Sequence, residues 1–133
     1  MTSLLRGGSS AAKIYADVDR VSRALGATPH GLVAILYDEL LLALGVARRA
    51  ALRGDRVLFE ERRGRALLLL GALDHGLERG GNPALAEALS ATYRGLSAAV
   101  GRASNEDADL VLAQVRDAIA ELADAWGQIA KAA

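Results

Sequence analysis

The sequence predicts an all-α protein, an antiparallel up-down four-helix bundle with a short extra N-terminal helix. Apolar residues make up 52% of the chain but aromatic residues only 4%, a balance typical of helices rich in Ala and Leu. Only two prolines occur, and each stands where a helix can begin. Four long helical patterns are joined by connections of a few residues, which favours antiparallel neighbours. The 133 residues are expected to form one domain over residues 1–133, with residues 1–11 as a flexible tail.

The first helix is predicted from an apolar repeat in the segment AKIYADVDRVSRAL, residues 12–25. Its side chains Ile14, Val18, Val21 and Leu25 recur every three or four residues, which is the spacing of one helix face. We therefore expect a short amphipathic helix that lies against the bundle.

The second helix is predicted to begin at Pro29 and to continue to about Arg53. Thr28 is a suitable N-cap, and Pro29 suits the first helical position because its missing N–H would have no partner there. Gly54 then interrupts the pattern, and Asp55 supplies the N-cap of a third helix.

The last two breaks use the same chemistry. The third helix is predicted to run to about Arg79, where Gly80-Gly81 ends it. Asn82 and Pro83 begin a fourth helix that reaches about Ala103. Ser104-Asn105-Glu106-Asp107 caps the last helix, which is expected to end near Lys131, and its acidic groups lie near the positive end of the helix dipole.

Apolar side chains at steps of three and four residues predict which faces form the core. On the fourth helix these are Leu85, Leu89, Tyr93, Leu96 and Val100. On the last helix they are Ala108, Leu112, Val115, Ile119, Leu122, Trp126 and Ile129. The steps of the last helix match the seam of a helical bundle.

Composition excludes several classes of function. The 16 basic and 16 acidic side chains cancel, so no basic field would attract nucleic acid, and none is expected as a partner. Cysteine is absent, which removes disulfides, thiolate catalysis and cysteine zinc sites and fits a reducing compartment; the cytoplasm is therefore the expected location. His30 and His75 fall on different helices, so no metal or cofactor is expected.

No membrane insertion is expected either. Crossing a bilayer takes about 20 consecutive apolar residues. The apolar stretch over residues 32–44 is interrupted by Asp38 and Glu39, and the stretch over residues 67–73 is too short.

The second and third helices carry more apolar surface than one core needs. Val33, Leu36, Leu40, Leu44 and Ala47 form one stripe on the second helix, and Phe59, Ala66, Leu70, Leu73 and Leu77 form one on the third. Ile35, Leu42 and Val46 form a displaced second stripe, while Leu67 and Leu68 point away from the stripe of the third helix. A central position, the first helix or a second copy in a homodimer could cover this surplus, or it could form a groove for a partner helix. Periodicity does not choose between these alternatives.

An enzyme is an alternative of a different class. Small all-helical chorismate mutases bind a dicarboxylate with arginines, and the run EERRGR places Arg62, Arg63 and Arg65 within a turn and a half. A charge run of this kind is normally a solvated helix face. Catalysis would require inward-facing arginines from separate helices at a common pocket.

The chain resembles the flagellin export chaperone family FliS. The resemblance is carried, in order, by Tyr15, Thr28-Pro29, Leu32, Leu36-Tyr37-Asp38, Leu73-Asp74 before Gly80-Gly81, Leu89, Tyr93 and Trp126. It spans about Tyr15 to Trp126. It implies a cytoplasmic chaperone that binds the C-terminal segment of flagellin without ATP, prevents premature polymerisation and delivers flagellin to the export apparatus, where the export gate is a second expected partner.

The stripe geometry together with this resemblance predicts the partner-binding residues. The contact surface is placed on Ile35, Leu42 and Val46 of the second helix and on Leu67 and Leu68 of the third. Tyr37 and Asp38 are expected to form its polar edge, and the segment around Tyr15 is expected to shield part of the groove as a lid.

Overall fold

The computed structural model describes residues 11–20, 26, 29–77 and 82–132, and in these ranges the protein consists of helices and the short turns between them. Residues 11–20 form helix α1. The four long helices are α2 (Pro29–Arg53), α3 (Arg56–His75), α4 (Pro83–Arg102) and α5 (Ala108–Ala132). The predicted all-α class and the short N-terminal helix are confirmed.

The four long helices form an antiparallel up-down bundle. Helix α2 packs against α3 and α5, and α4 packs against α3 and, less extensively, against α5. Two contacts fix the direction of α5 relative to α2: Arg48 pairs with Asp109, and His30 bonds to Trp126. Because the later residue of α2 meets the earlier residue of α5, the two helices run in opposite directions.

The predicted helix starts are confirmed where the structure describes them. The Asp55 carboxylate accepts a hydrogen bond from the backbone N–H of Leu58 at 3.2 Å, and the Asn82 side chain accepts one from Leu85 at 3.1 Å. Gly54 precedes the first of these caps with a φ of 74°, a left-handed conformation that glycine adopts without strain. Thr28 lies outside the described residues.

A reciprocal cap precedes α5, as predicted. The backbone N–H of Ser104 donates to the Asp107 carboxylate at 2.7 Å, and the backbone N–H of Asp107 donates to the Ser104 hydroxyl at 3.4 Å. The predicted ends of α2, α4 and α5 agree with the structure to within one residue.

Two predicted boundaries were wrong. Helix α3 ends at His75 rather than near Arg79; Gly76 is its C-cap residue, and the Gly76 backbone N–H donates the last helical hydrogen bond to the Ala72 carbonyl at 3.0 Å. Ala11, assigned to the flexible tail, is helical and buried, since α1 lies against α3. Arg79, the pair Gly80-Gly81 and residues 1–10 lie outside the described residues, as do Val21 and Leu25 of the predicted first helix.

The predicted core faces are largely confirmed. The buried residues among those predicted are Leu36, Leu40, Leu44, Ala47, Phe59, Ala66, Leu70, Leu73, Tyr93, Val100, Ala108, Leu112, Val115 and Ile119. Leu85 is an error, since its side chain is 54% exposed. The buried face of α4 passes through Tyr93 and Val100, seven residues apart, and the same step back from Tyr93 reaches Ala86, which is buried.

One described helix, His30–Arg53 within α2, is long and apolar enough to cross a membrane by length and composition. Its most apolar window has a mean hydropathy of 1.6, yet only 39% of that window is buried in the bundle. A core helix of a soluble protein passes the same test. The apolar surface that this packing leaves uncovered is shown by Leu42, which is 58% exposed.

Tyr37 was predicted at a polar edge, and this placement was wrong. Its side chain is only 3% exposed, and its hydroxyl lies 2.7 Å from the hydroxyl of Tyr93, which is also buried. Burial favours the neutral phenol and raises the pKa of both groups; the hydrogen bond raises the pKa of Tyr93 further and offsets part of the rise at Tyr37. The nearby charge of Asp74 on α3 raises the pKa of Tyr93 as well. The pair joins α2 to α4 across the bundle.

Replacing either tyrosine by phenylalanine should lower the free energy of unfolding, and the two losses should not add up in the double variant. Tyr37→Phe leaves the Tyr93 hydroxyl without this partner, so each single variant should lose about 1–2 kcal/mol of unfolding free energy. The double variant should lose clearly less than the sum of the two. Urea unfolding of the four proteins measures the coupling, and strictly additive losses would contradict the assigned hydrogen bond.

The tyrosine pair should also make stability depend on alkaline pH. Both pKa values are raised above the ordinary value of about 10 in the folded protein. The contribution of the pair to the free energy of unfolding is therefore complete below pH 10 and declines as the pH rises toward the folded-state pKa values. Unfolding free energies measured from pH 8 to about pH 11 should therefore fall more steeply for the wild type than for the Tyr37→Phe/Tyr93→Phe variant. Equal slopes would show that the pair does not titrate in this way.

Candidate functional site

The surplus apolar surface of α2 is a row of side chains on the side away from the core. Ile35, Glu39, Leu42 and Val46 follow one another at steps of four, three and four residues and so lie along one line of the helix. Leu42 is 58% exposed. Ile35 and Val46 are half-buried, and neither belongs to the residues packed against the central core. The predicted second stripe on α2 is therefore present as a surface.

An ion pair shows which neighbour this row faces. The guanidinium of Arg65 on α3 lies 3.8 Å from the carboxylate of Glu39, in the middle of the row. Leu68 follows Arg65 by three residues, shares its side of α3, and is half-buried outside the central core. We call the surface formed by Ile35, Leu42, Val46 and Leu68 the α2–α3 face.

Leu67 does not belong to this face, contrary to its predicted placement. It is rotated by 100° from Leu68, and it packs against the central core. Arg63, one turn before Leu67 on α3, donates a hydrogen bond to the Ala103 carbonyl at the end of α4 at 2.8 Å. The side of α3 that carries Leu67 is thus turned toward α4.

Asp38 is exposed, as predicted, but it also belongs to the other flank of α2. Together with Ala34 it lines a cavity of about 110 Å³ between α2 and α5. The α5 side of this cavity is lined by Ala123, Trp126 and Gly127. We call this cavity the α2–α5 notch.

An aromatic pair forms one end of the notch. The rings of His30 and Trp126 are stacked with centroids 4.0 Å apart and planes 12° from parallel. The indole N–H of Trp126 donates to the backbone carbonyl of His30 at 2.9 Å, and His30 Nε2 lies 3.0 Å from the Trp126 carbonyl. The sequence indicated Trp126 as a seam residue and as part of the family resemblance, but the role of His30 as its partner was missed.

Tyr15 lies on α1, where α1 meets the C-terminal half of α3. Its ring is edge-on to that of His75 at a centroid distance of 5.7 Å, and a Cβ atom at Gly76 would overlap it. One turn before Tyr15 on α1, Ala11 lies close to Gly71 of α3: a Cβ atom added at Gly71 would come within 2.9 Å of the Ala11 Cβ. Gly71 follows Leu68 by three residues, so α1 lies beside one end of the α2–α3 face.

The arginine run does not bring arginines of separate helices to a common pocket; Arg63 lines a cavity of about 500 Å³, and the other arginine that lines it, Arg56, also belongs to α3. Arg62 lies 3.6 Å from Glu61, Arg65 pairs with Glu39, and Arg63 stacks over the Phe59 ring while it bonds to Glu60 and Ala103. All three arginines come from α3. Within the described residues, no group of three or more His, Asp or Glu side chains could hold a metal ion.

Comparison with known proteins points to one family. A family model described as flagellar protein FliS matches residues 11–133. The flagellar secretion chaperone FliS of Salmonella typhimurium strain LT2 is 29% identical to the chain over 122 residues, which cover 91% of this chain and 90% of that protein.

Proposed function

The chain belongs to the FliS family of flagellar secretion chaperones, and from this membership we propose that it binds the C-terminal segment of flagellin on the α2–α3 face. In this proposal the bound segment is kept from polymerising in the cytoplasm and is delivered to the flagellar export apparatus, with the export gate as a further partner. The FliS family is not enzymatic, so the chorismate-mutase alternative is wrong.

The single observation that supports this proposal is the unused apolar surface of α2. Leu42 is 58% exposed at the centre of a row that extends over three turns, and Ile35 and Val46 of the same row are only half-buried. An amphipathic segment that folds on this row would bury its own apolar side chains against Ile35, Leu42 and Val46. Because the segment loses conformational entropy as it orders, binding remains reversible, which a chaperone that releases its client requires.

Calorimetric titration with a flagellin C-terminal peptide tests both the client and the surface. The wild type should bind one peptide per chain, and Leu42→Asp should weaken binding at least about tenfold because a carboxylate would be buried against the peptide. Leu110→Asp is the matched control. Leu110 is 63% exposed on α5, and a new carboxylate in the first turn of α5 suits the helix dipole.

The outcomes separate the alternatives. Equal binding by the wild type and both variants would keep the client and remove the α2–α3 face as its site. No binding by the wild type would remove the proposed function. A wild type that is dimeric by light scattering and becomes monomeric with Leu42→Asp would favour the homodimer alternative, in which the row meets a second copy.

The position of α1 supports a lid. Helix α1 meets α3 one turn beyond Leu68, where Ala11 contacts Gly71, and Tyr15 lies a further turn along at His75 and Gly76. An amphipathic segment that extends along the α2–α3 face would therefore meet α1 and, if it continued, compete with Tyr15. The side chains Ile14, Tyr15 and Val18 pack against the core and are only partly buried, which limits the free energy required to displace them. We propose that α1 shields this end of the surface until the client arrives.

Gly76→Ala should weaken the lid and thereby strengthen client binding. The added methyl group overlaps the Tyr15 ring, while Gly76 has a φ of −83° that alanine adopts without strain. We expect the affinity for the flagellin peptide to rise roughly two- to tenfold. Hydrogen exchange should become faster in residues 11–20 and stay unchanged in α2 to α5. Faster exchange in residues 11–20 with unchanged affinity would show that α1 is not a lid.

A further inference from the structure

We propose that the α2–α5 notch is a second docking site, which takes an aliphatic side chain of a partner helix whose neighbouring residue one turn away is Lys or Arg. The notch lies about a third of a turn around α2 from the row of Ile35, Leu42 and Val46. The row is turned toward α3 and the notch toward α5. A partner in the notch and a client on the α2–α3 face can therefore be bound at the same time.

The shape of the notch selects a small apolar group. Its volume of about 110 Å³ corresponds to about four water molecules and suits one side chain of the size of Val or Leu. Small residues, Ala34 on α2 and Ala123 and Gly127 on α5, keep it open. A Cβ atom at Gly127 would meet nothing within 4 Å, so a larger side chain fits at this lining position without a clash.

The aromatic end of the notch is held in place before any partner binds. His30 and Trp126 are stacked and joined by two hydrogen bonds between α2 and α5. The buried ring of Tyr37 is fixed by its bond to Tyr93. A preformed apolar surface costs little ordering entropy on binding, which is typical of ligand sites.

The charge at the rim identifies the chemistry of the partner. Asp38 lines the notch, and Asp124 precedes the lining residue Gly127 by three residues and so shares its side of α5. Both are exposed, and neither forms an ion pair with another described residue. Arg116 also forms none, but it lies about 12 Å from Asp124 along α5. The two carboxylates therefore give the rim a negative potential, which favours a basic residue beside the inserted aliphatic group.

Trp126 is the only tryptophan of the chain, so its fluorescence reports on the notch alone. The probes are two designed helical peptides with the same leucine positions, one with lysines and one with glutamates at the remaining charged positions. The lysine peptide should change Trp126 emission saturably and more weakly at high salt, and the glutamate peptide should not. The change should persist when the protein is first saturated with flagellin peptide.

Two variants test the shape and the charge separately. Gly127→Leu fills the notch and Asp38→Lys reverses the rim charge, and each should weaken binding of the lysine peptide roughly tenfold or more. Gly95→Leu is the matched control, because Gly95 is an exposed helical glycine of α4 with nothing within 4 Å of its added Cβ. Circular dichroism establishes that each variant remains helical.

Three results would overturn the proposal: equal binding of both probes, binding unaffected by Gly127→Leu and Asp38→Lys, or a flagellin peptide that itself occupies the notch and excludes the lysine peptide. The last result would assign the notch to the client. Binding of the lysine peptide is also measured on the protein without flagellin peptide. A protein that does not bind flagellin in calorimetry can therefore be distinguished from one whose notch does not bind the lysine peptide.

Discussion

The packing of α2 between α3 and α5 is the constraint on which the other surfaces depend. The core of α2 is shared by two neighbours, so its buried residues spread over a wide arc that includes Leu36, Tyr37 and Leu40. The outer surface of α2 that remains has two edges, one beside α3 and one beside α5. One edge is marked by the Glu39 and Arg65 pair and the other by the contact of His30 with Trp126. The α2–α3 face and the α2–α5 notch follow from this division.

Most of the fold could be predicted from the sequence because its signals are local. A cap such as Asn82 with Pro83 acts within one turn of the helix it begins. The spacing of apolar residues along one helix, such as Leu112, Val115 and Ile119, predicts which of them are buried. The end of α3 could not be predicted in this way. Gly64 and Gly71 lie inside the helix, so a glycine at position 76 does not by itself mark its end, and the contact of Gly76 with Tyr15 joins residues about sixty positions apart.

The candidate site was predictable in its composition and less so in its arrangement. Periodicity identified Ile35, Leu42 and Val46 as surplus, but it does not state which neighbour lies on which flank, and so Leu67 was grouped with Leu68. Tyr37 was misplaced for another reason. A phenol beside an aspartate suggests a polar edge, whereas its burial depends on a hydroxyl partner supplied by Tyr93 on a helix that α2 does not pack against directly.

The ion pair in the middle of the α2–α3 face bears on how tightly any partner could bind there. Between half-exposed groups 3.8 Å apart, the pair of Glu39 with Arg65 contributes little to folding stability. A partner that covers it removes water from both charges, and this desolvation offsets part of the gain from burying Leu42 and its neighbours. The pair also interrupts the apolar row between Ile35 and Leu42. A surface of this kind favours binding that is selective and reversible over binding that is permanent, since the partner must accommodate two charges as well as an apolar row.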